Sequence, residues 1–304
     1  MRLIASSSYL PSRIITNKEI AEKLNVSIEF IEKRTGIKQR HFVDKELIEE
    51  MALQATQKLV NKTNVDIQKI DMIIVATTST YKLMPGISNY IQKRLKIEEC
   101  ICFDILAGCN GYINAIDIAQ MYMNSGKVKK AIIVGVDTLS KFTNKSDIGT
   151  AIVLGDGAGA SLYEVSKGKY YSNIQAIPDD KDILTCNINS KIKMDGLAIY
   201  KYAVTETTKN VKQLLMQANE KIDNIKYIIP HQSNLKIIRA IASRLEAKDE
   251  QIFTNIDKIG NTFCASIPIV LEEILEKEDL KKGDKMILLG YGGGLNTGSI
   301  LLEY

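Results

Sequence analysis

The chain repeats itself at a fixed offset of 155 residues. The apolar segment 70–80, IDMIIVATTST, corresponds to 225–234, IKYIIPHQSN. The segment 129–137, KKAIIVGVD, corresponds in the same way to 284–292, DKMILLGYG. Self-similarity that keeps one register across separate segments indicates two copies of one structural unit.

The same offset aligns Cys109 with Cys264, and each cysteine lies in a segment that contains small residues, glycine or alanine. We therefore predict two similar halves, residues 1–170 with Cys109 and residues 171–304 with the aligned turn. No segment between them has the composition of a flexible linker, so the halves are expected to pack as one body.

Apolar strands alternate with helical patterns in each half, in the order strand, helix, strand, helix, strand. The strands are apolar almost throughout, which is typical of sheets buried on both faces. This alternation predicts an α/β fold with mainly parallel sheets. The predicted helices are EEMALQATQKLVNKT, ISNYIQKRL, YINAIDIAQMYMNSG, VKQLLMQANEKI, NLKIIRAIASRL and IPIVLEEILEK.

Composition excludes several classes of protein. A net charge of +4, without long Lys/Arg runs, does not indicate a nucleic-acid partner. No apolar run is long enough to span a membrane, and residues 1–13 lack the apolar core of a signal peptide. Five cysteines without framework spacing, beside two histidines, indicate free thiols and no metal site. We expect a cytoplasmic protein.

Cys109 lies where a strand pattern changes into a helical one, in the stretch DILAGCNGYINAI. A helix N-terminus stabilises a thiolate and lowers the pKa of the thiol. Gly108 and Gly111 permit a tight turn and close approach of a substrate. Cys109 is therefore a candidate nucleophile, although a small packing residue fits the local pattern equally well.

Two more polar residues are candidates for the same site. His231 directly follows the strand of IIPHQSN, and Asn261 lies in GNTFCASIP, the segment aligned with the Cys109 turn. A histidine that ties down a loop and an asparagine in a turn are the structural alternatives. His41, in a charged stretch, is predicted to lie on the surface.

Two glycine-rich segments have different interpretations. GYGGGLNTGS follows a predicted strand, so its backbone N–H groups are free to approach a ligand closely. GDGAGA, residues 155–160, misses the G-x-G-x-x-G pattern and is predicted to be a closely packed turn.

Taken together, Cys109 and the segments PHQSN, GNTFCASIP and GYGGGLNTGS resemble the β-ketoacyl-acyl-carrier-protein synthase III family. These are initiating condensing enzymes of the thiolase fold, and the resemblance covers nearly the whole chain. It implies a five-layered αβαβα body of two βαβαβ-type halves, assembled as a homodimer. It also implies an acyl thioester substrate, an acyl carrier protein as partner and no cofactor.

The resemblance assigns roles to individual residues. Cys109 matches the nucleophile that accepts the acyl group. His231 and Asn261 match the pair that holds the malonyl thioester carbonyl, and the N–H groups of Cys109 and Gly293 match the oxyanion hole. Residues matched to coenzyme A or substrate binding are Phe30, Arg34, Asn234 and Lys236. Residues matched to the acyl pocket are Met84, which would reach into the partner's pocket, Leu154 and Met194.

The chain departs from the family pattern near the substrate. Phe30 stands where the family has Trp, Ile148 stands where it has an arginine that meets coenzyme A, and Lys236 replaces another arginine. Residues 177–189 form a shorter stretch than the corresponding part of the family pattern. These departures argue against acetyl-CoA as the primer and favour a longer or different acyl group, as in secondary metabolism.

Three alternative functions share part of this pattern. A papain-type protease shares the chain order Cys, His, Asn, but it requires a C-G-S-C-W motif that this chain lacks. A non-catalytic partner subunit of the same fold would not need all three residues. An acyltransferase of the same fold that forms an ester or amide remains open.

One helix carries a basic stripe. In NLKIIRAIASRL, Lys236, Arg239 and Arg244 fall along one side, and the isoleucines fall largely on the other. Because carrier proteins are acidic, this stripe is a candidate docking surface beside the site. An ordinary solvated helix face is the structural alternative.

Overall fold

Two β-sheets dominate the computed structural model, which describes residues 1–188, 190–277 and 279–304. The strands, in chain order, are β1 (Arg2–Tyr9), β2 (Arg13–Thr16), β3 (Gln39–Phe42), β4 (Met72–Ala76), β5 (Ile101–Ile105), β6 (Lys130–Thr138), β7 (Asp156–Glu164), β8 (Tyr170–Ala176), β9 (Leu184–Thr185), β10 (Lys193–Met194), β11 (Tyr227–Pro230), β12 (Lys285–Gly292) and β13 (Asn296–Glu303).

Helices cover the faces of both sheets. In chain order they are α1 (Asn17–Leu24), α2 (Ile28–Thr35), α3 (Ile48–Thr63), α4 (Ile87–Leu95), α5 (Gly111–Asn124), α6 (Ile148–Ala151), α7 (Gly196–Ala218), α8 (Leu235–Leu245), α9 (Ile256–Ile259) and α10 (Ser266–Glu276).

Corresponding elements of the two halves begin 155 residues apart. This offset separates the first residues of β4 and β11, of β6 and β12, and of α5 and α10. The order of four strands is also the same: β1-β7-β6-β4 in one sheet corresponds to β8-β13-β12-β11 in the other, and β5 extends the first sheet by one strand. The structure therefore confirms the internal repeat. The first sheet uses strands from residues 2–164 and the second uses strands from residues 170–303.

The prediction of mainly parallel sheets was wrong, because both sheets are mixed. Strands β5, β4 and β6 run parallel, but β6, β7 and β1 pair antiparallel. In the second sheet β11 and β12 are parallel, whereas β13 and β8 are antiparallel to their neighbours. The connection from β12 to β13 is a tight turn over residues 293–295, and a parallel crossover needs a much longer connection.

The helices form three layers that alternate with the sheets. Helices α5 and α10 lie between the two sheets, and apolar residues from both sheets join them in one core cluster. Helices α3 and α4 cover the outer face of the first sheet, and α7 and α8 cover that of the second. This arrangement confirms the predicted five-layered αβαβα body.

Most helices lie where the spacing of apolar residues predicted them, but one helix is longer than its predicted segment. ISNYIQKRL coincides with α4, whereas VKQLLMQANEKI contains only the last part of α7. Helix α7 begins at Gly196 because the Asp195 carboxylate caps it, accepting the N–H groups of Leu197 and Ala198.

Residues 156–160 of the segment GDGAGA form the start of β7, so the predicted turn there was wrong. Its close packing was predicted correctly. A side chain at Gly159 would lie 2.8 Å from the Cβ of Pro268, at the start of α10. The glycines let this central helix approach the sheet.

Candidate active site

Cys109 lies in a single turn of 3₁₀ helix between β5 and α5. The turn begins at Gly108, whose φ of 57° favours glycine over other residues. The backbone at the end of β12 passes close to the cysteine, since a Cβ at Gly292 would be 2.8 Å from the Cβ of Cys109. Glycine at position 292 therefore leaves room for the thiol between the two halves.

The environment of the thiol acts on its pKa in two opposite directions. Burial is the largest influence and raises the pKa of Cys109, and the carboxylate of Asp137 raises it further. Hydrogen bonds from the N–H groups of Cys109 and Gly293 lower the pKa. The expected low pKa of the Cys109 thiol is therefore wrong, because burial outweighs the effect of the two N–H groups.

His231 follows β11 and is almost completely buried, with 1% of its surface exposed. Its backbone N–H donates to the carbonyl of Leu289 on β12, which fixes the residue to the sheet. Its Nδ1 lies 2.7 Å from the hydroxyl oxygen of Ser266. Burial lowers the pKa of His231 to about 3. The imidazole is therefore neutral near pH 7 and offers one N–H donor.

This lowered pKa predicts a flat pH profile for any step in which His231 acts as a neutral donor. A group whose pKa lies near 3 changes protonation only below about pH 5. We expect any catalytic step that uses this donor to keep a constant rate between about pH 5 and pH 8, measured at saturating substrate. A sigmoidal loss of rate with a midpoint near 6.5, the ordinary histidine pKa, would contradict this assignment.

Asn261 joins the two halves at the cavity. Its N–H donates to the carbonyl of Val153 at 3.0 Å, and its own carbonyl accepts the N–H of Gly155 at 2.8 Å. The side-chain Oδ1 accepts the N–H of Phe263 at 3.0 Å. Since that oxygen is engaged as an acceptor, the amide presents its Nδ2 donor end to a ligand.

Cys109, His231 and Asn261 line one cavity of about 570 Å³. Its walls come from both halves, and Arg34 and Met194 also contribute to them. A cavity of this size suits a small ligand, and it holds one thiol beside two polar side chains. The structure thus brings together the three residues that the sequence singled out.

Comparison with known proteins decides the family. The family model described as 3-oxoacyl-[acyl-carrier-protein (ACP)] synthase III matches residues 103–177, and its C-terminal counterpart matches residues 215–304. The beta-ketoacyl-[acyl-carrier-protein] synthase III of Aquifex aeolicus is 35% identical over 306 residues, covering 100% of this chain and 99% of that protein. The chain belongs to the β-ketoacyl-[acyl-carrier-protein] synthase III family.

Other relatives agree with this membership. The enzyme of the same name from Clostridium kluyveri is 36% identical over 311 residues, covering 97% of this chain and 96% of that protein. The crystal structure of the Aquifex aeolicus VF5 synthase III superimposes with a TM-score of 0.96, covering 100% of this chain and 99% of that one. The thiolase-type fold is therefore confirmed, and as a synthase III the chain is a condensing acyltransferase.

Residues matched to the thioester path lie at the mouth and wall of the cavity. Arg34, Asn234 and Lys236 line it. Phe30 is 38% exposed on α2, and the Arg34 guanidinium lies 5.7 Å from the centre of its ring. Asn234 caps α8 by accepting the N–H of Lys236. Three of the four residues thus line the cavity, and Phe30 adjoins them through its contact with Arg34.

Residues matched to the acyl pocket are more dispersed. Met194 lines the cavity, whereas Leu154 is buried in the apolar cluster that also contains Cys109. Met84 is 79% exposed and lies in the loop between β4 and α4. The last residue of the segment 177–189, Asn189, lies outside the described residues. Ile183 and Leu184 of that segment pack inward, and Leu184 lines the cavity.

Sequence reasoning missed the residues that surround His231. Tyr291 lines the cavity with its ring edge-on to the imidazole, 5.4 Å between centres, and its hydroxyl bonds to Ser233. Ser266 bonds to the imidazole itself. Tyr291 is the second residue of the segment GYGGG, and Ser266 aligns with Gly111 in the repeat. Neither position in the sequence predicts a contact with His231. His41, predicted to lie on the surface, is partly exposed, and its Nδ1 lies 2.6 Å from the carbonyl oxygen of Pro11.

No cluster of three metal-ligating side chains occurs among the described residues. In the same parts of the chain, no helix combines the length and apolar character needed to cross a membrane.

Proposed function

We propose that the chain forms a carbon–carbon bond in two half-reactions. An acyl group is transferred from a thioester to Cys109, and a decarboxylative Claisen condensation with malonyl carrier protein follows. The observation that carries this proposal is the convergence of a buried thiol, a neutral imidazole and an amide donor on one cavity.

In the first half-reaction the thiolate of Cys109 attacks the acyl carbonyl, the C–S bond of the donor breaks, and the donor sulfur leaves as a thiolate that takes up the proton lost by Cys109. The backbone N–H groups of Cys109 and Gly293 lower the pKa of the Cys109 thiol, so both act on the cysteine sulfur. Two backbone donors directed at this point suit the oxyanion of the tetrahedral intermediate. Burial raises the pKa of the Cys109 thiol because it takes a negatively charged sulfur out of water. The two N–H donors restore part of the stabilisation that water would have given to this charge.

In the second half-reaction the malonyl thioester loses CO₂, and the electron pair of the broken bond forms an enolate. Its oxygen accepts hydrogen bonds from the imidazole N–H of His231 and from Nδ2 of Asn261. The carbanion then attacks the acyl-enzyme carbonyl and releases the Cys109 thiolate. Neutral donors suit this step because they stabilise negative charge without having to transfer a proton.

Each half contributes a distinct part of this chemistry. We assign residues 1–170 the nucleophile and residues 171–304 the two enolate donors. The bonds between Asn261 and residues 153–155 support this division, because they fix a donor of one half directly on the backbone of the other.

We propose that Phe30, Arg34, Asn234 and Lys236 receive the nucleotide or phosphopantetheine arm of the incoming thioester. The positive charges at the entrance suit phosphate groups, which carry negative charge. Met194 and Leu154 contribute to an acyl pocket beside Cys109. The thioester itself supplies the chemistry, so we propose no additional cofactor.

We propose that the enzyme is a homodimer joined along β5. This strand lies at the edge of the first sheet and pairs with β4 on one side. Its residues are half-buried although they are mostly apolar, and Leu106 beside it is 75% exposed. An apolar edge strand is a template for pairing with a second copy. The exposed Met84 would then reach the acyl pocket of the partner.

The carrier protein is proposed to dock on the basic stripe of α8. Lys236, Arg239 and Arg244 are exposed, and the opposite face of the helix is buried. Lys236 also lines the cavity, so the stripe begins at the entrance. An acidic carrier protein would be steered to this surface by charge attraction that salt weakens.

Reversing all three charges of this stripe to Glu should raise the KM for malonyl carrier protein roughly tenfold at low salt. Acylation by a small thioester mimic should be retained. The steady-state KM at two salt concentrations is the measurement. The control is a second triple variant that makes the same change of charge elsewhere on the surface. It replaces Lys167, Lys281 and Lys282, which are exposed near the start of β12, with Glu. If both variants raise the KM equally, the stripe is an ordinary solvated face.

The cellular setting is proposed to be the cytoplasm, without nucleic-acid or membrane partners. All five cysteines are free thiols, although the sulfurs of Cys100 and Cys102 are 3.3 Å apart. An odd number of cysteines without framework spacing suits a reducing compartment.

One experiment separates condensation from the alternatives. The protein is incubated with a panel of acyl-CoA and acyl-carrier donors, and its intact mass is read for an acyl adduct. Condensation predicts an adduct that disappears when malonyl carrier is added. A non-catalytic subunit would form no adduct with any donor. An ester- or amide-forming acyltransferase would form the adduct but keep it in the presence of malonyl carrier. The panel also identifies the primer.

A further inference from the structure

The hydroxyl of Ser266 lies between two nitrogen atoms in the buried wall of the site. Nδ1 of His231 is 2.7 Å from its oxygen, and the backbone N–H of Gln232 donates to the same oxygen at 3.3 Å. Ser266 is the first residue of α10 and is 2% exposed. Water therefore has little access to this hydroxyl, and its hydrogen bonds are those that the protein provides.

The hydrogen bonds at the Ser266 oxygen indicate which tautomer the imidazole of His231 adopts. A neutral imidazole carries one hydrogen, on Nδ1 or on Nε2. If Nδ1 carried it, the serine oxygen would receive two N–H groups, and the described residues would offer no acceptor for the hydroxyl hydrogen. If Nδ1 is bare, the hydroxyl donates to it and accepts from Gln232. Buried donors are almost always paired, so the second arrangement is favoured.

Tyr291 holds the ring from another side. Its ring meets the imidazole edge to face, with an angle of 67° between the planes. Its hydroxyl is within 2.8 Å of the Ser233 hydroxyl and donates to the carbonyl of His231 at 3.3 Å. The imidazole is thus held by a hydrogen bond at Nδ1 and by packing on the tyrosine ring. Its remaining nitrogen, Nε2, is the one available to a ligand.

We propose that Ser266 is a positioning residue that holds His231 in the tautomer with hydrogen on Nε2. In this form the neutral ring presents a donor to the thioester oxygen, and Ser266 itself touches no substrate. The benefit to catalysis rests on the proposed function, but the tautomer does not.

The tautomer is measured directly by nitrogen NMR. The chain has two histidines, so ¹⁵N-histidine labelling of a His41→Gln variant leaves the signals of His231 alone. We expect an unprotonated Nδ1 and a protonated Nε2 at neutral pH. A protonated Nδ1 would overturn the proposal, whatever the enzyme catalyses.

Kinetics of Ser266 variants test the consequence. Ser266→Ala should slow CO₂ release from malonyl carrier roughly tenfold, the value of one neutral hydrogen bond, with KM and the acylation of Cys109 unchanged. Ser266→Thr keeps the hydroxyl and should restore most of the rate. Ser299→Ala removes an equally buried hydroxyl, bonded to Asn210, and is the structural control.

The outcomes separate this inference from the proposed function. An unchanged rate of CO₂ release in Ser266→Ala, or an equal loss in both half-reactions, would overturn the role of Ser266. If His231→Ala releases CO₂ at the native rate, the proposed function itself fails, while the NMR result still decides the tautomer.

Discussion

Replacement of Cys109 by Ala or Ser is expected to abolish the acyl-enzyme. Alanine removes the nucleophile, and a serine hydroxyl in the same buried position is far harder to ionise than a thiol. Incubation with an acyl donor that modifies the native protein should leave the intact mass of either variant unchanged. We expect loss of detectable adduct, with the far-UV spectrum and melting temperature close to native because the changes in size are small.

Cys264 provides the matched control. It aligns with Cys109 in the repeat and is also buried. Its thiol, however, donates a hydrogen bond to the carbonyl of Gly108 in the turn that carries Cys109. Cys264→Ala should therefore retain acylation. An adduct mapped by peptide mass to any other cysteine, or one that persists in Cys109→Ala, would show that the nucleophile has been assigned to the wrong residue.

His231→Ala and Asn261→Ala are expected to accept the acyl group but to fail in releasing CO₂. Each variant removes one donor to the enolate oxygen, and the loss of one oxyanion donor costs about 2.7–4 kcal/mol of barrier stabilisation. This corresponds to a fall in rate of about 10²–10³-fold per variant. The measurement combines intact mass after acylation with the rate of ¹⁴CO₂ release from labelled malonyl carrier.

The two half-reactions provide the internal control, since acylation in the same sample reports that the fold is intact. Native-rate condensation by Asn261→Ala would contradict the role given to Asn261 and would favour the acyltransferase alternative. An equal loss of both half-reactions in His231→Ala would mean that His231 assists the thiol rather than the enolate.

The repeat made much of the fold predictable from the sequence. An offset of 155 residues aligned strands, the Cys109 turn and the following helix, and each of these elements occurs twice in the structure. The chemical residues were also recognisable, because Cys109 and His231 follow the carboxyl ends of apolar strands, β5 in the first sheet and β11 in the second. The roles of these residues remain predictions until the variants are tested.

Other features depend on contacts between distant segments and were not predictable. The strand direction of β7 and β13 depends on pairing, which apolar runs alone do not specify. The raised pKa of Cys109 results from burial between the two halves and from Asp137, and neither is visible around residue 109. The partners of His231 come from α10 and from the end of β12, well separated along the chain.

A single turnover tests the central claim most directly. Enzyme acylated on Cys109 is freed of donor and mixed with an equal amount of malonyl carrier protein, and CO₂, the carrier product and the enzyme mass are followed together. Condensation predicts one CO₂ and one β-ketoacyl carrier for each acyl group lost from Cys109. Release of CO₂ with the acyl group still on the enzyme, or loss of the acyl group without a β-ketoacyl product, would contradict the proposed reaction.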